Sequence, residues 1–203
     1  MIKEAEKIKA VVFDVGGVLA LHIKEIHREV AAKLNLSFDD YMDAIDSAYA
    51  KSMEGKISKK QTLEHLSKNF KKPKKEVEKI YFDSYKKSFT QNKQLYNLAF
   101  NLKKQKHKIG ILSDQWHLSK NSVIPEKYSE RFDVVVVSCD VGVRKPDLKI
   151  YKLFLKKIKL PAKNVLFIDN RQWNLTPAKK LGMKTILFRN NKQLFKEIRK
   201  FLK

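Results

Sequence analysis

Four short β-branched runs of the chain end in residues that can do chemistry. IKAVVFDV delivers Asp14 and stops at Gly16-Gly17; KIGILS delivers Ser113 and Asp114. FDVVVVS is followed by Asp140 and, a little further on, Arg144-Lys145-Pro146; NVLFID ends in Asp169-Asn170. A carboxylate, a hydroxyl, a lysine and a second acidic position in this order suit phosphoryl transfer to a carboxylate. Asp14 would be the nucleophile and form an aspartyl-phosphate. A divalent ion would bridge Asp14 and the phosphate and screen their repulsion. Ser113, Asp114 and the backbone N–H groups beside them would contact the phosphate, and Lys145 would neutralise it and orient Asp14. Asp169 would help hold the ion, since magnesium prefers oxygen ligands. Gly16 and Gly17 let the backbone turn sharply and leave a carbonyl aimed at the metal. Asp140 reads as turn chemistry. Each of these residues alone is an ordinary loop residue; their joint order and placement carry the expectation.

The elements that must position these groups follow from periodicity. Strands are expected at Ile8 to Val15, Lys108 to Ser113, Phe132 to Ser138, Asn164 to Asp169 and Lys184 to Phe188. Helices are expected at Leu95 to Lys106, Leu148 to Lys159, Trp173 to Leu181 and Lys192 to Phe201. This alternation predicts an α/β fold: a Rossmann-like parallel sheet with helices on both faces. In such sheets ligands sit beyond the carboxyl ends of the strands, where the polar groups above fall. Residues 23 to 88 carry no convincing strand and read as amphipathic helices broken at Asn35-Leu36-Ser37, Glu54-Gly55-Lys56 and Pro73, with Ser37 and Ser58 as N-caps. The expected organisation is a core of residues 1–19 and 89–203 with an inserted α-helical cap of residues 20–88.

Composition bounds the partners. The 203 residues suffice for one core with a modest insertion. No apolar run approaches the roughly 20 residues of a membrane helix, and MIKEAEKIKA lacks the apolar core of a secretory signal, so a cytoplasmic location is expected. Cys139 is the single cysteine, which excludes an intramolecular disulfide and a cysteine-rich metal site, and it reads as a buried small side chain. The net charge of +22 permits binding to nucleic acid or to anionic small molecules. The lysines are spread along the whole chain, however, and only six of the 44 basic residues are arginine, so nucleic acid is not the favoured partner. The densest cluster is Lys68, Lys71, Lys72, Lys74 and Lys75 around Phe70, which reads as a solvated helix end.

The order FDVGGVL, ILSDQ, VGVRKPDLKIY and VLFIDNRQWNLTPAKKLGM resembles the haloacid dehalogenase superfamily over nearly the whole chain, with MEGKISKKQTLEHL similar to its helical caps. The pattern looks like the branch that includes glucose-1-phosphate phosphatases. The resemblance implies a magnesium-dependent phosphatase acting on a small phosphorylated metabolite. By that resemblance Asp14 is the nucleophile, Ser113 and Lys145 bind phosphate, and Asp14, the Gly16 carbonyl and Asp169 hold Mg2+. Two positions depart from the pattern. The second motif I carboxylate, which protonates the leaving group, is Gly16 here. Losing such a group typically lowers the rate by about 10²–10⁴. The last acid of the fourth motif is Asn170, which keeps an oxygen for magnesium but removes a charge. His22, Glu25, Tyr49, Lys51 and Trp116 are the candidates to line the cleft. The same departures keep two rivals in view. One is a metal-independent 2-haloacid dehalogenase, for which Tyr151 and Trp173 fit and Asp169 does not; the other is a catalytically weakened scaffold acting as a basic nucleic-acid-binding protein.

Overall fold

The computed structural model describes residues 7–202; the amino-terminal segment MIKEAE, read above as leading into the first strand, lies outside them. In chain order, β1 is Ala10–Phe13 and β2 Ala20–Leu21. Four helices follow: α1 Ile23–Lys33, α2 Phe38–Met53, α3 Lys59–Phe70 and α4 Lys74–Ser88. Then come β3 Thr90–Gln91, α5 Lys93–Lys104, β4 Lys108–Ser113, the short helices α6 Lys120–Val123 and α7 Glu126–Ser129, and β5 Val134–Val137. The chain continues through α8 Ser138–Val141, α9 Leu148–Ile158, β6 Val165–Asp169, α10 Gln172–Lys180, β7 Lys184–Leu187 and α11 Asn191–Ile198.

The five long strands form one parallel sheet in the order β5-β4-β1-β6-β7. Parallel strands need crossovers, and the helices between them cover both faces. Side chains alternate along β1 accordingly. Val11 and Phe13 pack with Leu95, Ala99, Leu194 and Ile198 of α5 and α11, while Ala10 and Val12 pack with Ile150, Phe154, Leu175 and Ala178 of α9 and α10. The register fixes the site. Phe13 stands opposite Ile111 of β4 and Ile168 of β6, so Asp14, the Ser113-Asp114 pair and Asp169 emerge together at the carboxyl edge.

The helical layer α1–α4 leaves this edge through β2 and returns through β3. These two short strands pair antiparallel, Ala20 with Gln91 and Leu21 with Thr90, which ties the outgoing and returning chains side by side. The ends of its helices are set locally. Ser37 accepts from the Asp40 amide with Asp39 and Asp40 in the first turn of α2, and Ser58 and Gln61 form a capping box on α3. Its interior carries a hydrogen-bonded chain from His27 Nδ1 to Tyr41 (2.8 Å) and on to Tyr81 (3.0 Å).

The layer docks onto the sheet edge through aromatics. Trp116, 1% exposed, donates from Nε1 to Tyr85 Oη at 2.9 Å and takes the edges of Tyr49 and Tyr81 at 4.9 and 5.1 Å. Gly55 sits in the left-handed region at φ +65, and a Cβ there would lie 2.7 Å from the Cys139 carbonyl, so only glycine lets the end of α2 approach α8 this closely. Arg144 reinforces the seam with an ion pair to Glu54 at 3.2 Å.

Candidate active site

Asp14, the first residue beyond β1, donates its amide to the Ile168 carbonyl at 2.9 Å, which continues the β1–β6 ladder and aims the side chain over the sheet edge. Lys145 arrives from the loop between α8 and α9. Its backbone N–H donates to Asp114 Oδ1 at 3.0 Å, and its ammonium donates to Asp14 Oδ1 (2.8 Å), Asp169 Oδ2 (2.7 Å) and the Leu112 carbonyl (3.2 Å). The Lys145 side chain is 1% exposed and the Asp169 side chain fully buried, so this is a desolvated triad of two carboxylates sharing one cation. Burial would lower the Lys145 pKa, but the carboxylates of Asp14, Asp169 and Asp114 outweigh it and hold the ammonium above the usual lysine value. Burial raises the Asp14 carboxyl to about 6; Lys145 pulls it down, and Asp169 and Asp114 push it up. Burial also raises Asp114.

A cavity of about 420 Å³ opens over Asp14 between the sheet edge and the helical layer. Gly16, Asp114, Gln115, Ser119, Arg144, Lys145, Arg171, Trp173 and Asn174 line it from the sheet side. His27, Tyr49, Met53 and Tyr85 line it from the helical layer. This volume suits a small ligand.

The residues singled out by sequence fall into three groups. Asp14, Gly16, Asp114 and Lys145 come together at the cavity, as do Tyr49 and Trp116. Asp114, expected among the substrate contacts, uses its carboxylate to hold the Lys145 backbone. Ser113 is fully buried, and its hydroxyl accepts from Gln115 Nε2 at 3.1 Å; Ser119 in turn donates to Gln115 Oε1 at 2.7 Å, so Gln115 stands between the hydroxyl and the cavity wall. Asp169 was expected against a metal ion; here Oδ2 accepts from Lys145 and from Asn174 Nδ2 (3.0 Å), and Oδ1 accepts from the Arg171 amide (2.7 Å). Asn170 is exposed, with its side chain over Gly17: a Cβ on Gly17, at φ +79, would lie 2.2 Å from Asn170 Nδ2. His22, at φ 63 before α1, and Glu25 and Lys51 are exposed and do not line the cavity. Tyr151 is buried away from the opening and donates to the Asn174 carbonyl at 2.7 Å. Asp140 lies in α8 and pairs with Lys120 at 2.7 Å. Cys139 is buried, and burial pushes its thiol up to about 12, so it is no nucleophile.

Sequence reading missed His27, Arg144, Arg171 and Asn174. Asn174 lies one turn into α10 and faces back to the end of β6, a spacing visible only once the helix start is fixed. His27 carried no signal beyond its residue type; burial holds it near pKa 4 and therefore neutral.

Among the described residues no three His, Cys, Asp or Glu side chains gather as a metal cluster. With the Asp169 oxygens and one Asp114 oxygen engaged by the chain's own donors, the oxygen donors at the cavity beside them are the Asp14 carboxylate and the Gly16 backbone, and the Asn170 amide lies over the neighbouring Gly17. That all-oxygen set fits a hard cation such as Mg2+, with little negative charge to hold it.

A family model for haloacid dehalogenase-like hydrolases matches residues 8–182, and the chain belongs to this family. Among curated proteins it is similar to bifunctional epoxide hydrolase 2 of Rattus norvegicus, 28% identical over 213 residues that cover 95% of this chain and 38% of that one. The chain thus spans about two-fifths of that relative's length. Among solved structures, a HAD-like family hydrolase from Porphyromonas gingivalis superposes with a TM-score of 0.80 at 21% identity, covering 97% of this chain and 98% of that one. A HAD family enzyme from Bacteroides thetaiotaomicron, solved in complex with magnesium and inorganic phosphate, gives 0.76 at 19% identity, covering 93% and 99%. These two likenesses establish the fold.

Proposed function

We propose that the protein is a phosphatase of small phosphate monoesters, assisted by Mg2+, that works through an aspartyl-phosphate on Asp14, with residues 20–88 acting as the cap over the site. The observation that carries the reading is the placement of Asp14: a buried carboxylate held by Lys145 at the base of a small cavity lined also by Arg144 and Arg171. An Asp14 oxygen attacks phosphorus as the ester P–O bond breaks; water then attacks the acyl-phosphate, releasing phosphate and restoring the carboxylate. Lys145 keeps Asp14 ionised and offsets the charge of the incoming phosphate. Asp14, Gly16 and Asn170 would hold Mg2+, with Asp169 behind them; the ion would neutralise phosphate charge. Gly16 supplies no acid, so the departing oxygen takes its proton from water, which favours esters of acidic alcohols and phenols. The Bacteroides complex with magnesium and phosphate supports this choice of cofactor and ligand class.

A small phosphorylated metabolite is the partner that the cavity favours. In the Lys68–Lys75 cluster, expected to be a solvated helix end, Lys72 pairs with Glu76 at 2.5 Å and Lys74 with Glu64 at 2.9 Å, which leaves it less positive charge to offer nucleic acid.

The test is phosphate release from a panel of small esters with magnesium, comparing wild type with Asp14→Asn. Release by wild type alone, lost in EDTA, is expected. Equal release by the variant would sink the reading, as would no release by a folded wild type. Chloride release from 2-chloropropionate in EDTA would move Asp14 to dehalogenation.

A further inference from the structure

Among the described residues three cations line the cavity, and two are already committed. Lys145 is clamped between Asp14 and Asp169. Arg144 pairs with Glu54 and donates to Met53 Sδ at 3.5 Å. Arg171 differs: among the described residues no carboxylate forms an ion pair with its guanidinium. Its backbone N–H, bonded to Asp169 Oδ1, anchors the residue at the end of β6. Its guanidinium carbon lies 5.4 Å from the ring centroid of Trp173. Trp173 is 59% exposed, whereas the other tryptophan, Trp116, is 1% exposed. An exposed indole is costly to leave uncovered and useful as a platform. A guanidinium resting over a ring uses its face and keeps its in-plane N–H donors free for a planar anion, which carboxylates accept in bidentate fashion.

We propose that the substrate carries a carboxylate on the alcohol side of its phosphate ester, and that Arg171, resting on Trp173 at the cavity lip, is the residue that selects it. The inference rests on the phosphomonoester reading and adds the class of ester: the phosphate goes to Asp14 and Lys145, and the second anion goes to Arg171. The cavity of about 420 Å³ accommodates a small phosphorylated hydroxy acid.

The test separates binding from turnover. In full-length Asp14→Asn protein with magnesium, calorimetry compares phosphoglycolate with ethyl phosphate, which differ by a carboxylate in place of a methyl. The expected preference for phosphoglycolate is about 10-fold or more, the worth of a charge-assisted contact. Adding Arg171→Ala should collapse that ratio, and Arg171→Lys, which keeps the charge but not the planar fork, should give an intermediate one. Equal affinities for the two esters overturn the proposal. So does a ratio that Arg171→Ala leaves unchanged, which would place Arg171 on the phosphate or on neither group. If neither ester binds and wild type releases no phosphate, the phosphomonoester reading fails and the proposal falls with it; if both bind alike, only the proposal fails.

Discussion

Replacing Lys145 by Met removes the one cation between two buried carboxylates. Asp14 Oδ1 and Asp169 Oδ2 lie 2.8 and 2.7 Å from the ammonium, so they are no farther apart than those two contacts end to end. Two like charges about 5 Å apart repel by about 3 kcal/mol at an effective dielectric constant near 20. Breaking a buried pair by removing one partner costs about 3–5 kcal/mol, in agreement. A fold stabilised by about 5–15 kcal/mol survives that loss. At about 2–4 °C per kcal/mol the melting temperature should fall by roughly 6–20 °C. The loss should also depend on pH. Without Lys145 a carboxyl of the pair holds its proton to higher pH in the folded state than in the unfolded chain, so the folded variant binds more protons and gains stability as pH falls. Wild-type Asp14, at about 6, is still largely ionised between pH 8 and 7, so the gap between the two proteins should narrow as pH falls through that range. Urea unfolding of both proteins at pH 8, 7 and 6 measures it. A gap below about 1 kcal/mol, or one of constant size across these pH values, would refute the picture of a shared, desolvated cation.

Three further outcomes follow from the same geometry. Because the proposed attack needs Asp14 as the carboxylate, kcat/KM should fall as pH drops below about 6, and Asp114→Asn, which removes one of the charges that raise Asp14 while keeping an acceptor for the Lys145 amide, should move that limb to lower pH; a pH–rate profile of each reads it. Asn170→Asp restores a carboxylate beside the Gly16-Gly17 turn and should lower the magnesium concentration for half-maximal activity by roughly tenfold, measured by metal titration. Gly16→Asp should speed alkyl phosphates selectively over p-nitrophenyl phosphate, by up to about 10²-fold, since only the poor leaving group needs an acid; equal effects on both esters would count against water as the proton source.

Much of the fold was legible because its strands are short apolar runs closed by turn residues. Lys108–Ser113 forms over the residues expected; β1 is two residues shorter at each end, β5 two shorter at its start and one at its end, β6 one shorter at its start and β7 one shorter at its end. The helices α1–α4 break where Asn35, Gly55 and Pro73 interrupt the pattern, with Ser37 and Ser58 as N-caps. The pieces that escaped are those too short to show a period: the paired linkers β2 and β3, and the single turns α6, α7 and α8. The site followed the same division. Strand ends are readable in sequence, so Asp14, Asp114, Lys145 and Asp169 stand out there. What Asp169 and Ser113 touch depends on Asn174 and Gln115, whose partners are set by helix start and side-chain direction. On the cavity's far wall Tyr49 was among the sequence candidates, whereas His27 and Tyr85 come from helices whose faces no local pattern assigns to the site.

The two departures from the family pattern make sense together as a matter of charge. The buried centre already holds Asp14 and Asp169 against one buried cation, Lys145, with the half-buried Asp114 beside them, and burial together with these carboxylates lifts Asp14 to about 6. A carboxylate at position 16 and another at position 170 would add two negative charges around the nucleophile, and Asp14 would need a tightly bound cation to stay ionised at neutral pH. Gly16 and Asn170 remove that demand, at the expense of leaving-group protonation and metal affinity. The result is a buried carboxylate whose ionised form the protein's own lysine favours. It follows that reverting either position alone should raise the apparent pKa of Asp14 in magnesium-free protein, and that saturating magnesium should bring it back.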